Sequence, residues 1–264
     1  MSLRAIEVLR DVELIAAEDT RHSQRLLQHF DITTSAHAYH DHSGGRAVEK
    51  ILACLQRGEA VALISDAGTP LISDPGYRLV REVQEQGYEV FPVPGACAAI
   101  AALSVSGLAT DRFLFEGFLP AKAGTRENRL RKLANEPCTL IFYEAPHRIY
   151  ECLESLRLVY GDDREVVLAR EITKTFETIK RGTLAELAEF VGSDKDQRRG
   201  EIVLIVEGKR QQEADLDEQS AALLRRLALE LPAKRAAAVV ADVTGLRKKM
   251  LYQYLLDVKD SAGG

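Results

Sequence analysis

The chain has 264 residues, of which 46% are apolar and 28% are charged, with a formal charge of −5. This composition is enough for a buried globular core and the length accommodates two domains, so a disordered chain is excluded. No apolar run approaches the roughly 18 residues that a membrane-spanning helix needs, and the first residues lack the pattern of a signal peptide, so we expect a cytoplasmic protein without a membrane partner.

The cysteines and histidines give no sign of a disulfide framework or a metal centre. The four cysteines lie among apolar neighbours without a CxxC pair, which is typical of buried, reduced thiols; they are Cys54, Cys97, Cys138 and Cys152. The segment HAYHDH contains four residues that can bind a metal, at irregular spacing: His37, His40, Asp41 and His42. Because no HExxH or paired Cys/His frame accompanies them, we expect no metal site.

Residues 1–110 alternate helical and extended patterns in short segments. The helical segments are 2–10, 20–29, 45–57, 76–87 and 96–105, and the extended ones are 14–18, 35–39, 60–66 and 89–95. Such alternation predicts an N-terminal α/β domain whose parallel sheet is covered by helices on both faces.

From residue 111 the order of the elements changes. Extended segments at 111–118, 138–144, 164–172, 176–182 and 200–208 accompany helical ones at 124–135, 146–158 and 183–191. The fourth extended segment follows the third after a few residues, which favours an antiparallel hairpin. The sequence therefore predicts a second α/β domain over residues 111–210, with a mixed sheet.

Residues 211–264 form a polar linker followed by a helical extension with its own charge. Residues 219–259 hold eight basic and three acidic residues, a formal charge of +5, so the rest of the chain carries −10. The whole-chain charge argues against a nucleic-acid partner, but the extension favours one. A second basic segment, at 119–135, holds five basic residues and one acidic residue.

The segment VALISDAGTPLISDPGYRLV places a tight turn after a buried strand. The strand ends at Asp66, and Asp74 with Pro75 is predicted to begin the following helix as N-cap and first residue. Ligands of open α/β sheets bind at the carboxyl ends of strands, so residues 66–69 are expected to line a crevice. The alternative is that these residues serve only turn and cap geometry.

Further polar or small residues follow the ends of other predicted strands. Val93-Pro94-Gly95 leads into a helix of small residues, which fits either close ligand approach or close helix packing. Other strand ends carry Glu18, Asp19 and Arg21; Tyr143, Glu144, His147 and Arg148; and Arg170, Glu171, Lys174 and Glu177. Helix caps and solvated ion pairs are the alternative to a catalytic role. GxSxG, P-loop and GxGxxG motifs are all absent from the sequence.

Seven segments, in this order, carry a family resemblance: EDTR, SDAGTPLISDPG, VPGACAAIAALS, DRFLFEGFLPAK, TLIFYEAPHR, LAREITKTFET and RRGEIVLIVEG. They resemble the tetrapyrrole-methylase-like, class III family of S-adenosylmethionine-dependent methyltransferases, and within it the branch that methylates small-subunit ribosomal RNA. The resemblance implies two α/β domains with the methyl donor in the cleft between them, and a homodimer. It also implies 2′-O-methylation of a cytidine ribose in the decoding region of 16S rRNA.

The resemblance also implies roles for particular residues. Donor contacts are expected at Asp66, Ala67, Gly68, Thr69, Pro94, Gly95, Ala96, Phe142, Tyr143, Arg170, Gly200 and Glu201. The ribose hydroxyl needs a carboxylate, or a lysine with lowered pKa, to take its proton; the candidates are Asp19, Glu171 and Lys174, with Arg21 positioning a phosphate. RNA contacts are expected at Lys122, Arg126, Arg129, Lys248 and Lys249, the last two on a helix-turn-helix-like extension. The alternative for that extension is a helical cap with solvated lysines.

One departure from the family pattern and two other functions accompany this interpretation. Family members begin with a strand and a glycine-containing loop that precede the first helix of this sequence. We therefore expect the first sheet to lack that strand and donor binding to be weakened. The other functions are methylation of a small tetrapyrrole-like substrate, and non-enzymatic RNA binding without a donor pocket.

Overall fold

The computed structural model describes residues 1–40, 45–209 and 216–262. The chain divides into two compact units, Met1–Gly208 and Lys209–Gly264. The first contains two sheets and the second contains helices. The domain boundary near residue 110 stays a prediction, and Asp41 and His42 lie outside the described residues.

The first sheet is parallel, as the alternating pattern predicted. Its elements are α1 (Leu3–Asp11), β1 (Leu14–Ala17), α2 (Thr20–His29), β2 (Ala36–Ala38), α3 (Gly45–Gln56), β3 (Val61–Ile64) and α4 (Tyr77–Glu85). The strand order is β2-β1-β3, and both pairings of β1 are parallel. Successive β1 side chains enter opposite cores: Leu14 packs with apolar residues of α3 and α4, and Ile15 packs with those of α1 and α2.

The strand predicted at residues 89–95 does not form. Among the described residues, this segment pairs with no strand, and β3 pairs only with β1. Val90 and Phe91 are 43% and 69% exposed. An apolar extended segment becomes a strand only where a neighbouring strand supplies its backbone hydrogen bonds. The prediction of a strand at 89–95 was therefore wrong, because the local pattern does not report whether such a neighbour exists. The expectation about a preceding strand stays a prediction.

The start of α4 also differs from the prediction. Gly76, not Asp74, is the N-cap, and the helix begins at Tyr77. Gly76 has a φ of +131°, and a Cβ there would stand 2.8 Å from the side chain of Leu63. Close packing under β3 therefore requires glycine, and Asp74 is left to the loop before the helix.

The second sheet is mixed, and the predicted hairpin is confirmed. Its elements are β4 (Phe113–Phe118), α6 (Ala123–Leu133), β5 (Thr139–Glu144), α7 (Ile149–Tyr160), β6 (Glu165–Arg170), β7 (Thr178–Thr183), α8 (Leu184–Ser193) and β8 (Ile202–Val206). The strand order is β4-β5-β8-β6-β7, with β6 and β7 antiparallel. The carboxyl ends of β4, β5 and β6 and the amino end of β8 consequently share one edge.

Helices cover both faces of this sheet. Apolar residues of α6, α7 and α8 pack on one face, around Phe142. The other face is covered by α5 (Ala98–Ser106), whose Ala99, Ala102 and Leu103 contact β5, β6 and β8. The small residues of α5 thus pack closely on the second sheet, although the sequence assigned this helix to the first domain.

The second unit is a three-helix bundle of α9 (Glu218–Ala228), α10 (Ala233–Thr244) and α11 (Lys248–Ala262). Leu224, Val240 and Leu251 are fully buried at its core. Gly245 ends α10 in the left-handed conformation, with a φ of +74°, and three residues separate α10 from α11. Two helices joined by so short a turn form a helix-turn-helix arrangement. In the described part of the chain, no helix has the length and apolar character to cross a membrane.

Candidate methyltransferase site

Four carboxylates gather where β1 and β3 end. Asp19 is the N-cap of α2, and its side chain accepts a hydrogen bond of 2.9 Å from the backbone N–H of Arg21. The backbone N–H of Asp19 donates to Oδ1 of Asp66, the first residue of the predicted donor loop, at 3.2 Å. The parallel pairing of β1 with β3 therefore brings the EDTR and SDAG segments together, and Glu18 and Asp74 face the same cluster.

The carboxylates of this cluster have different proton affinities. Burial raises the pKa of Glu18, a backbone hydrogen bond from Asp66 partly offsets this, and the nearby charges of Asp74, Asp66 and Asp19 raise it again. Burial likewise raises the pKa of Asp74, whose Oδ2 is buried without a hydrogen-bond partner among the described residues. Hydrogen bonds from Arg21 hold the pKa of Asp19 at about 2. Asp19 is therefore a weak base, and Glu18 is more basic than Asp19.

The two loops predicted to hold the donor contact each other. Thr69 Oγ1 donates to the backbone carbonyl of Ala96 at 3.0 Å. Gly68 has a φ of +88°, and a Cβ there would stand 3.4 Å from the same carbonyl oxygen. Residues 66–68 and 94–96 are exposed, so their backbone groups border open space. A glycine at 68 lets the two loops approach while leaving room for a ligand.

Tyr143 connects the second sheet to the start of α5. Its hydroxyl accepts a hydrogen bond of 3.1 Å from the backbone N–H of Ala99. Its ring stands edge-on to Phe115 and Phe118, with centroids 5.0 and 5.7 Å away. Burial raises the pKa of Tyr143 to about 12, so this hydroxyl stays protonated. The preceding residue, Phe142, is fully buried on the opposite face, so only its backbone is available to a donor.

Three charged side chains interlock at the shared edge of the second sheet. Lys174 Nζ lies 2.8 Å from Glu171 Oε1 and 3.1 Å from Glu201 Oε2. The same Glu171 oxygen accepts from the backbone N–H of Glu201 at 3.0 Å. Gly200 makes this possible, because a Cβ there would stand 2.3 Å from the Glu171 side chain. Glu171 and Lys174, which follow β6, are thus tied to Glu201, which precedes β8.

These contacts oppose the base role predicted for Glu171 and Lys174. The hydrogen bond from Lys174 lowers the pKa of Glu171, and the reciprocal bond raises that of Lys174. The expected lysine with a lowered pKa is therefore not found at this position, because two carboxylates stabilise its charged form. The arrangement suits holding a loop in place.

Arg170 is buried, and only part of its guanidinium is hydrogen-bonded within the described residues. The side chain is 7% exposed, and its Nη2 donates to Thr178 Oγ1 at 3.1 Å. Its Nε is buried with no partner among the described residues. A buried, charged donor without an acceptor is costly, so this nitrogen is a candidate contact for an anionic or carbonyl group of a ligand.

Backbone strain coincides with the candidate loops. Leu71 and Ser73, in the loop after β3, have φ values of +72° and +64°. Glu171 and Thr173, after β6, have φ values of +52° and +67°. Non-glycine residues adopt this conformation at a cost, and it persists where surrounding contacts fix a loop for a purpose.

The predicted RNA contacts in the first unit differ in availability. Lys122 is exposed at the N-terminal end of α6. Arg129 forms a two-point ion pair with Glu116. Arg126 is 4% exposed and donates to Ser155 Oγ and to backbone carbonyls, so it is a structural residue inside the domain. The helical pattern of α6 contained the signal for this, because Arg126, Leu130 and Leu133 fall on one face.

Lys248 and Lys249 are exposed in the first turn of α11. This turn follows directly on the short connection from α10. In helix-turn-helix modules, the beginning of the second helix contacts nucleic acid. The structure therefore presents both lysines at the position that such a module uses.

Most of the predicted donor residues thus form two groups in the structure. Loops 66–69 and 94–96 meet near Tyr143, and Arg170, Gly200 and Glu201 share the edge of the second sheet with the end of β5. Sequence reasoning did not single out Glu18, whose pKa is raised, or Phe115 and Phe118 as neighbours of Tyr143. A signal for Glu18 was available, because the predicted strands at 14–18 and 60–66 both end in carboxylates, Glu18 and Asp66.

Comparison with known proteins identifies the family. The family model for tetrapyrrole (corrin/porphyrin) methylases matches residues 1–188, and that for the RsmI C-terminal HTH domain matches residues 214–259. The fold and the first match define a methyltransferase of the tetrapyrrole methylase class, whose methyl donor is S-adenosylmethionine.

Curated relatives and solved structures refine this assignment. Ribosomal RNA small subunit methyltransferase I of Pseudomonas aeruginosa is 55% identical over 97% of this chain and 92% of its own. The protein of the same name from Escherichia coli O157:H7 is 53% identical over 96% and 89%. The chain belongs to the ribosomal RNA small subunit methyltransferase I family.

Solved structures agree on the fold. Cobalt precorrin-4 methyltransferase, a cobalamin biosynthetic enzyme, matches with a TM-score of 0.58 at 16% identity, over 78% of this chain and 88% of its own. Diphthine synthase matches with a TM-score of 0.57 at 14% identity, over 78% and 84%. At these identities the likeness extends to the fold alone.

Proposed function

We propose that this protein transfers the methyl group of S-adenosylmethionine to the 2′-hydroxyl of a cytidine ribose in the decoding region of 16S rRNA. The names of the relatives support an RNA substrate in the small subunit. The observation that carries the proposal is the meeting of loops 66–69 and 94–96 beside Tyr143, with the carboxylate cluster of β1 and β3 directly adjacent. This arrangement offers a ligand crevice and a proton acceptor together.

The residues fit the donor. Exposed backbone at 66–68 and 94–96 suits the hydroxyl and base edges of an adenosine, and the unpartnered Nε of Arg170 suits an anionic or carbonyl group. Phe115, Phe118 and Tyr143 add an apolar, aromatic wall. When bound, S-adenosylmethionine supplies a methyl group on a sulfonium, and its departure leaves a neutral thioether.

We propose that Glu18 accepts the proton of the ribose 2′-hydroxyl. Its raised pKa makes it a stronger base than an ordinary glutamate, while Asp19, Glu171 and Lys174 are held by ion pairs and position their loops. Arg21 is paired with Asp19, and its side chain is 89% exposed, so it remains available to a phosphate of the RNA. The protein's part in catalysis is then alignment of the hydroxyl and acceptance of its proton.

We assign RNA contacts outside the crevice to exposed cations on two helices. Lys122 begins α6, and Lys248 with Lys249 begins α11. Arg129 contributes only where RNA competes with Glu116 for its guanidinium, and Arg126 is omitted because it is buried. We further propose that the protein acts in the cytoplasm, as a homodimer and without a metal ion.

The proposal is tested by mapping ribose methylation. The protein is incubated with labelled donor and small ribosomal subunits that lack the modification, and methylated cytidine is located by mass spectrometry of 16S rRNA fragments. One modified cytidine in the decoding region is expected. Labelling of uroporphyrinogen in place of RNA would overturn the proposal in favour of a tetrapyrrole methylase. RNA binding without any transfer would overturn it in favour of a binding module.

A further inference from the structure

A cationic cavity lies at the β2 edge of the first sheet, outside the crevice described above. It has a volume of about 350 Å³ and opens between the strands and α3. Its polar lining is formed by His37, His40, Arg46 and Lys50, over an apolar floor that includes Leu14 and Ala16. The volume lies at the lower end of the range of ligand pockets, about 300–1,000 Å³.

The positive charge in this cavity comes from Arg46 and Lys50, both on α3. Lys50 Nζ contacts the His37 ring, 2.8 Å from Nε2 and 3.1 Å from Nδ1. Burial and the Lys50 charge both lower the pKa of His37, so the imidazole is a neutral acceptor. In the part of the chain that the structure describes, neither Arg46 nor Lys50 has a carboxylate partner. The nearest acid on the helix, Glu49, lies toward Gly45.

The spacing of Arg46 and Lys50 favours the binding of an anion between them. Arg46 and Lys50 are four residues apart on α3, so both project from one face of the helix. Like charges at this spacing repel each other, and an anion bound between them removes the repulsion. A phosphate group, which accepts hydrogen bonds from both guanidinium and ammonium, matches this lining.

The cavity is next to the proposed reaction centre. Ala38 at the end of β2 pairs with Ala17 at the end of β1, and the backbone N–H of Tyr39 donates to the carbonyl of Ala17 at 2.7 Å. Glu18 follows Ala17 directly. Neighbouring strands are about 4.8 Å apart, so a group at the end of β2 is within the reach of one nucleotide from Glu18.

We propose that the cavity of His37, Arg46 and Lys50 binds a backbone phosphate of the RNA substrate, close to the nucleotide whose ribose is methylated. The proposal rests on the proposed function, since it takes RNA as the substrate. The site acts in binding and positioning, because phosphate contacts fix the register of a nucleic acid without reading its sequence. It adds a contact on the N-terminal sheet to those on α6 and α11.

The test compares two double variants that lose the same charge. Arg46→Ala/Lys50→Ala removes the cavity cations, and Arg25→Ala/Arg78→Ala removes two exposed arginines from α2 and α4. Affinity for a 16S rRNA fragment is measured against salt concentration. For the cavity variant we expect about tenfold weaker binding and a salt slope smaller by about 1, the loss of one phosphate contact. The control should bind as the unaltered protein does.

Further measurements separate this inference from the proposed function. At saturating RNA the cavity variant should methylate at an unchanged kcat with a raised KM for RNA, and Arg46→Lys/Lys50→Arg should restore affinity. Equal RNA affinity and salt slope in the two double variants would overturn the inference while transfer by the unaltered protein still upholds the function. Loss of binding to assembled subunits but not to the RNA fragment would also overturn it, in favour of a protein contact. Absence of transfer by the unaltered protein would instead overturn the function.

Discussion

Removal of the Arg148 side chain should destabilise the first unit strongly. Glu144, at the end of β5, has a side chain that is 1% exposed. Its Oε1 accepts from Arg148 Nη2 at 2.6 Å, from Arg148 Nε at 3.0 Å and from the backbone N–H of Ala145 at 2.8 Å. Arg148 also donates to the carbonyl of Leu119 at 3.5 Å, which ties the end of β4 to that of β5. Arg148→Ala leaves the carboxylate buried and unpaired.

The magnitude follows from this burial. Removing one partner of a buried ion pair typically lowers the free energy of unfolding by about 3–5 kcal/mol. For a protein of this size each kcal/mol corresponds to about 2–4 °C in Tm, so a decrease of about 6–20 °C is expected. Urea denaturation followed by circular dichroism measures the change in free energy, and a thermal melt measures the Tm.

Two variants test the assigned cause. Arg157→Ala, on α7, also removes ion pairs, but those with Glu154 and Asp162 are exposed, so a loss of at most about 1 kcal/mol is expected. In Glu144→Gln/Arg148→Ala the buried charge is absent, and at least half of the lost stability should return. A cost for Arg148→Ala no larger than that for Arg157→Ala would refute the argument. Failure of the Glu144 substitution to restore stability would do the same.

Three other changes probe the crevice, the loop contacts and the helical extension. Glu18→Gln should lower kcat by about 10²- to 10⁴-fold, while the Kd for S-adenosylhomocysteine, measured by calorimetry, stays unchanged. In the unaltered protein, kcat should rise with pH through the raised pKa of Glu18, because only the deprotonated carboxylate accepts the proton. Gly200→Ala should lower the free energy of unfolding more than Gly161→Ala. Both glycines have a φ near +80°, but only at 200 would a Cβ meet a side chain, that of Glu171, at 2.3 Å. Equal losses of stability would show that this contact is easily displaced. Alanine at both positions of Lys248–Lys249 should weaken RNA binding in a filter assay and reduce the salt slope by about 1–2, and an accompanying loss of donor affinity would contradict a purely RNA-binding role.

The elements that the sequence predicted well are those specified by local patterns. The α2 helix begins with an acidic cap and runs over Thr20–His29, as its periodicity indicated. The β6–β7 hairpin followed from two extended segments separated by a short connection. By contrast, residues 89–95 have the apolar pattern of a strand without a pairing partner, and Asp74 has the chemistry of a cap without being one. Pairing and close packing depend on distant residues, which local patterns do not report.

The candidate site was predictable in position but not in charge state. Residues that end parallel strands gather at one edge, so Asp66 and Glu18 were brought together by topology alone. Whether a carboxylate there accepts a proton depends on its neighbours. Arg21 fixes Asp19 in the charged form, whereas burial among other carboxylates makes Glu18 more basic. The sequence offered both acids side by side, and only the fold distinguishes them.

The fold also distinguishes basic residues that are available to RNA from those that are already paired. The basic segment at 119–135 suggested a continuous RNA surface, yet Arg126 is buried and Arg129 and Arg131 are ion-paired. Cations that already have a carboxylate release few counterions on meeting a phosphate, so they contribute little to salt dependence. The salt slope should therefore reflect the exposed, unpaired cations, such as Lys122 and Lys50, instead of the number of basic residues. An overall acidic chain can then still bind RNA, because binding depends on exposed cations in defined places and not on the net charge.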